Sequence, residues 1–288
     1  MLKMSIPLDG TGSALCVKKI FSECVRTFRD KDLVTRLESV INVIHEFSIN
    51  YANFAATVDL HKVLRSVLVG NLVTSKEMEE VYTNKFVPEK SPGRPYYNII
   101  LNSAPASLCP LCAVGIATTL DHHLPKTKYP ELSIAPLNLV PSCVDCQTNK
   151  KSKYPRKKED QTFHPYFDNF ESETWLKADL IQTSPVSFRY FVDAPPNWSS
   201  VQIERARNHI EVFRLCRLYA INAGQEACVI RKALVDLYYS GGAGLVRDHL
   251  KRQARSCGGI AKNSWRTAMY SALHLSDWFC SGGFDGHR

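Results

Sequence analysis

The sequence predicts a mainly α-helical chain built around a small α+β core. Three observations lead there. Apolar residues recur at spacings of three and four near both ends. The middle lacks that periodicity and instead carries four cysteines in two C-x-x-C pairs. Turn-rich breaks separate these stretches. The expected organisation is a helical N-terminal region over 1–95, a cysteine module over 96–170 and a mostly helical C-terminal region over 171–288.

Residues 1–90 read as helical. "LVTRLESVINVIHEFSINYANFAATVDLHKVLRSVLV" places apolar residues on one helical face, with charged residues between them. "TSKEMEEVYTNKF" reads as a helix start, with Thr74 or Ser75 as N-cap and acids in the first turn. "VPEKSPGRPYYN" (87–98) reads as a break, and Arg94 within it as a turn residue. After the cysteine module, "DQTFHPYFDNF" gathers aromatics around His164, whose His-Pro step is expected to shape a turn. "SPVSFRYFVDAPP" (184–196) alternates like a strand. Residues 199–255 are helical again, capped by Ser199 or Ser200 and broken by "SGGAGLV". A last helix runs through "KNSWRTAMYSALHLSDWFC", and "SGGFDGHR" reads as a polar tail.

Composition narrows the function classes. At 44% hydrophobic the 288 residues can bury a sizeable core. No apolar run approaches the roughly 18–20 residues of a membrane span, and the start lacks a signal-peptide pattern. The expectation is a cytoplasmic protein with no membrane partner. Cys16, Cys24, Cys216, Cys228, Cys257 and Cys280 are scattered and read as ordinary small apolar residues. The net charge of +8 favours an anionic partner. "KKSKYPRKK" concentrates that charge in Lys150, Lys151, Lys153, Arg156, Lys157 and Lys158. Alone such a run is a solvated linker; beside a metal site it suggests nucleic acid.

Cys109-x-x-Cys112 and Cys143-x-x-Cys146 are knuckle-spaced. A tight turn within each pair aims both sulfurs at one point, and two pairs complete a tetrathiolate structural zinc site. A redox C-x-x-C and an iron–sulfur cluster are the competing readings. The first usually comes singly, and the second usually uses other spacings. A closed zinc site does no chemistry itself; it holds the intervening segment in shape.

That segment contains "TLDHHLP". Asp121 offers a hard oxygen to a divalent cation, and the imidazole of His122 can take a proton from water near neutral pH. Adjacent strand residues point to opposite faces, so a bend is needed for both to meet one substrate. His123 reads as a packing residue. Asn138 is a polar residue in the apolar "PLNLVPSC" and is expected to make a specific hydrogen bond. Gln147 sits at the expected start of a helix after the second knuckle.

C-x-x-C, then "LDHHLP", then "PLNLVPSCVDCQTNKK" resembles the HNH endonuclease family in its zinc-framed form. The close match covers about residues 109–152; "SPGRPYYNIIL", "LPKTKYPELSIAPLNLVPSC" and "FHPYFD" extend it to one bacterial branch of the family. The resemblance implies a ββα-metal fold and hydrolysis of nucleic-acid phosphodiester bonds, DNA in the first instance, to a 5′-phosphate and a 3′-hydroxyl. It implies that Asp121 binds a catalytic Mg²⁺ or Mn²⁺, that His122 is the general base, and that Asn138 orients the loop. Cys109, Cys112, Cys143 and Cys146 would hold structural Zn²⁺, and Lys150 would contact phosphate. The family usually has Asn or His where this chain has Gln147, so the second ligand of the catalytic cation is the point of departure. The resemblance further implies a role in bacterial anti-phage defence beside an operon-encoded ATPase. Two other readings stand next to the nuclease: a zinc-knuckle nucleic-acid-binding module impaired at Gln147, and an interaction subunit whose helical arms matter most.

Overall fold

The computed structural model describes residues 1–285. The last three residues of the expected polar tail lie outside that range. The chain divides into two units, Leu2–Asp168 and Asn169 onward.

The first unit begins with three helices, α1 (Val17–Val25), α2 (Lys31–Ser39) and α3 (Ile41–Ala56). Along α1, Val17, Ile20, Phe21 and Cys24 follow helical spacing and are buried, each large side chain contributing about 1.5–3 kcal/mol. Asp30 caps α2 through the backbone amides of Asp32 and Leu33. The helical expectation fails after α3. Val58 has φ +59°, and a short hairpin, β1 (Leu68–Val69) with β2 (Val73–Thr74), replaces the helix. Gly70 and Asn71 supply its left-handed turn, and the β-branched Val69 and Val73 suit strands better than a helix.

Thr74 is the N-cap of α4 (Ser75–Glu80), in a capping box with Glu77. A π-helical turn over Val81–Phe86 continues it. The break expected over 87–98 is shorter than its composition suggests. Helix α5 spans Arg94–Asn102 and takes Pro95 into its first turn, where a missing N–H costs nothing. The strands β3 (Thr119–His122) and β4 (Leu139–Ser142) pair antiparallel, with His122 opposite Leu139 and Asp121 opposite Val140. Helix α6 (Val144–Lys150) follows directly. One hydrophobic core runs from Ile20 and Phe21 through Ile44, Phe86 and Ile100 to Leu120 and Leu139, so the N-terminal helices and the cysteine module pack as one body.

The second unit holds the strand expected near 184–196 as β6 (Ser187–Val192), with Phe188 and Tyr190 inward. Its antiparallel partner β5 (Leu176–Ile181) was not legible in the sequence. Ser199 caps α7 (Ser200–Val212) in a second capping box. Helix α8 (Leu215–Ile260) is interrupted at Gly241 and Gly242, the "SGG" of the expected break, where Gly242 takes φ +64°. Helix α9 (Trp265–Leu275) follows, capped by Ser264. The last helix, expected to run to Cys280, ends at Leu275 and is followed by a helical turn, Phe279–Gly283; the tail expected to be polar begins inside that turn and buries Phe284.

Candidate functional site

The four cysteines of the two pairs are buried, and their sulfurs all lie within 4.8 Å of one another. Cys112 Sγ and Cys143 Sγ are 3.8 Å apart. A tetrahedron with metal–sulfur bonds of about 2.3 Å has edges of about 3.8 Å, so the spacing fits a tetrathiolate zinc. The Gly115 amide donates to Cys112 Sγ at 3.4 Å, and the Cys109 amide donates to the Gly115 carbonyl at 2.8 Å. A Cβ on Gly115 would lie 2.8 Å from Cys143 Cβ and 2.9 Å from its sulfur, so glycine is required by close approach. The thiols do not titrate independently. Hydrogen bonds led by Cys112 drive Cys109 below the ordinary thiol range, while those led by Cys109 drive Cys112 and Cys146 above it. These four residues form a site able to hold a structural metal such as zinc.

This frame sits at the open end of the β3–β4 hairpin, where Cys143 follows β4 directly. Asn138 extends the pairing beyond the two strands. Its backbone carbonyl accepts from the His123 amide at 2.8 Å, continuing the ladder. Its side-chain Oδ1 accepts from the Leu124 amide at 2.7 Å, and Nδ2 donates to the carbonyls of Leu124 and Leu132 at 3.0 and 3.3 Å. The amide thus imitates one more peptide of the sheet and pins the loop that leaves Asp121 and His122. The specific hydrogen bond expected of Asn138 is a three-way clamp, fully buried.

His122 is buried against the edge of Tyr82, ring centroids 4.5 Å apart. Its Nε2 lies 2.8 Å from the Ser133 carbonyl. A carbonyl only accepts, so Nε2 carries the proton and Nδ1 keeps the lone pair. Burial pushes the imidazole down to about 3, so the ring is neutral at physiological pH.

Asp121 is also buried, and its Oδ2 meets Lys150 Nζ at 2.9 Å. Lys150 reaches back from the end of α6 and donates to the His122 carbonyl at 2.5 Å as well. Burial raises the Asp121 carboxyl above its usual range, against the pull of Lys150. Lys150 therefore points into the site instead of outward with the basic run. Lys151, Lys153, Arg156 and Lys157 are exposed, and Lys158 shares Asp59 with Lys62.

The donors expected of a catalytic cation are not gathered. Lys150 engages Asp121, and Gln147 Nε2 donates to the Leu120 carbonyl at 3.4 Å. Among the described residues, the four cysteines are the group of three or more metal-ligating side chains that converges.

His123 packs on His164, ring centroids 4.2 Å apart. His164 Nδ1 accepts from the Tyr166 amide at 3.3 Å, which leaves its Nε2–H to donate to Tyr51 Oη at 2.9 Å. Both histidines are core residues. Arg94 is held locally by the Val87 carbonyl, Asn98 and Glu89. Sequence reasoning missed Tyr82, Ser133 and Lys126, whose ammonium lies 4.8 Å from the Tyr82 ring centre. Lys126 was within reach as the first base after "DHHLP". Tyr82 gives no local signal, since it meets His122 only through the tertiary fold.

The chain aligns at 31% identity over 206 residues with protein ea31 of Escherichia phage lambda, covering 64% of this chain and 69% of ea31. The chain belongs to the ea31 family. No family model matches it, and no solved structure does. No helix among the described residues is long and apolar enough to cross a membrane.

Proposed function

We propose that the β3–β4–α6 segment is the centre of an HNH-type endonuclease that hydrolyses nucleic-acid phosphodiester bonds, with structural Zn²⁺ on Cys109, Cys112, Cys143 and Cys146. The observation that carries the reading is the state of His122. The Ser133 carbonyl fixes its tautomer with the proton on Nε2, and Asn138 fixes its loop, so the Nδ1 lone pair is held in one orientation; the burial that makes this imidazole a weak base must be relieved by water and substrate before it takes a proton. Asp121 lies next to it in the chain, and the exposed bases Lys151, Lys153, Arg156 and Lys157 offer sequence-independent phosphate contacts. Mg²⁺ or Mn²⁺ on Asp121 belongs to the same proposal. Lys150 and such a cation compete for one carboxylate, so Lys150 must yield it.

A second reading is favoured by that same ion pair and by the turned-in Gln147 amide: a zinc-framed nucleic-acid-binding or interaction subunit without hydrolysis. The purified protein incubated with supercoiled plasmid, with Mg²⁺ or Mn²⁺ or with EDTA, beside His122→Ala, separates the two. Cutting that needs a divalent cation and vanishes in His122→Ala supports the nuclease. Binding without cutting under every condition supports the second. The protein partner, an operon-encoded ATPase in a phage-defence system, is part of the first reading through the family resemblance. Co-purification from the native operon tests it.

A further inference from the structure

The loop between α3 and β1 forms an open groove of about 750 Å³ with the segment that leaves the Asp–His strand. Lys62, Leu64, Arg65 and Val67 line one wall, Thr127 and Lys128 the other. Among the described residues, no acidic one lines it. The Ser66 amide ties the two walls together through the Lys128 carbonyl at 3.3 Å. The same Ser66 side chain donates to Glu131. Lys126 sits over the Tyr82 ring, acts electrostatically on His122 and immediately precedes Thr127 of the groove wall.

The groove is also joined to the basic run. Arg65 donates to Tyr154 Oη at 2.7 Å and stacks over that ring, 5.1 Å from its centre. Lys62 and Lys158 share the single carboxylate of Asp59, which leaves net positive charge at that junction. Arg65 and Lys128 have no acidic ion-pair partner among the described residues. Leu64 and Val67 project between these cations, 80% and 77% exposed.

The geometry points to a nucleic-acid-binding groove that continues the proposed nuclease centre outward. Arg65, Lys62 and Lys128 hold phosphates, and Leu64 and Val67 press on sugars and base edges. A run of cations free of acids neutralises a polyanion. Apolar tips framed by bases are the elements that minor-groove binders set against the duplex. This inference rests on the nuclease reading for its substrate class, but its test does not depend on cleavage.

The test is binding of the full-length protein, with no Mg²⁺ or Mn²⁺ added and no chelator present, to a fluorescein-labelled DNA duplex and its single strand at several salt concentrations. Wild type is compared with Arg65→Ala/Lys128→Ala, with Arg65→Lys/Lys128→Arg and with Leu64→Ser. All these positions except Leu64 carry exposed charge, and thermal melts confirm that each variant is folded. The alanine pair is expected to lower the slope of log affinity against log salt by about 1.8 on duplex, at about 0.9 per lost phosphate contact. The charge-keeping pair restores it, and Leu64→Ser weakens binding at unchanged slope. The same changes on the single strand alone would support the groove with that substrate form. An alanine pair that binds both DNAs as wild type does, with the same slope, overturns the proposal; an acidic protein segment as the true occupant gives that result. No cutting in the plasmid assay with Mg²⁺ or Mn²⁺, together with an altered slope here, would count against the nuclease and leave the groove standing.

Discussion

The four-cysteine segment and the C-terminal unit solve the same folding problem with different materials. Between Cys109 and Lys150 the buried residues include Asp121, His122, His123, Glu131, Ser133, Asn138, Ser142 and Lys150. Among the described residues from Asn169 onward, the buried polar ones are Arg205, His209 and Asn263, and helix packing around Leu234, Val246, Leu250 and Leu273 does the rest. Each buried polar group must recover its lost hydration through a partner, so the first region relies on a dense hydrogen-bond set beside a cysteine cluster able to hold a metal, with Glu131 Oε2 left without a partner. Such a concentration of buried ionisable groups is characteristic of functional sites.

One structural device appears in both regions, and this makes the comparison testable. Asn263 is also fully buried. Its Oδ1 accepts from the amides of Trp175 and Leu176, and its Nδ2 donates to the carbonyls of Phe170 and Glu173. It anchors the entry to β5 much as Asn138 anchors the exit from β3.

The largest expected difference follows metal removal. Chelation, or Cys109→Ser, should abolish hydrogen-exchange protection across 119–122 and 139–142 while α8 keeps its own. Structural zinc contributes on the order of 10–16 kcal/mol in small domains. Equal loss in both regions would show that the zinc-framed segment has no separate dependence on its metal. Mass spectrometry under non-denaturing conditions should find one zinc per chain.

Next in size is the buried pair of Asp121 and Lys150. Lys150→Ala strands a carboxylate that is 9% exposed and should cost about 3–5 kcal/mol in urea unfolding. The exposed pair of Arg189 and Asp179 in the C-terminal unit offers the contrast. Arg189→Ala should cost less than about 1 kcal/mol.

Asn138→Ala and Asn263→Ala should each cost about 1–3 kcal/mol, because each leaves backbone groups buried without partners. They should part in function. Asn138→Ala lowers plasmid cutting beyond its loss of folded protein, and Asn263→Ala does not. Equal specific activities would remove Asn138 from the site.

The last difference is a pH slope. His122 stays neutral in the folded chain down to about 3, whereas an unfolded histidine protonates near 6.5. Between these values the unfolded state binds the extra proton, so stability falls as pH falls, by up to about 1.4 kcal/mol per pH unit. His122→Gln removes this contribution. Its stability should decline less than that of wild type between pH 7 and pH 5, and the difference isolates His122 from acid release of zinc. A parallel decline would mean that His122 is protonated in the folded state.

Local signals in the sequence determined a good deal of this protein. The cysteine spacing foretold the cluster, because a C-x-x-C turn sets its own sulfur geometry. Thr74 and Ser199 foretold their helix starts, because a cap is a contact within four residues. The need of Asn138 for a hydrogen bond was visible as a polar residue among apolar ones, though not which backbone groups it would take. Tertiary structure alone decided the rest. The stretch 57–74 left its helical pattern for a hairpin once Gly70 and Asn71 could turn it, a choice that periodicity does not record. Lys150 lies 29 residues from Asp121, and Tyr82 lies 40 residues from His122. Such meetings depend on how helices and hairpin share one core, and no window of sequence carries that information. The basic run looked like six equivalent phosphate ligands. Folding turned one of them inward, because a buried carboxylate needs a cation, and Lys150 is the one that α6 delivers to it.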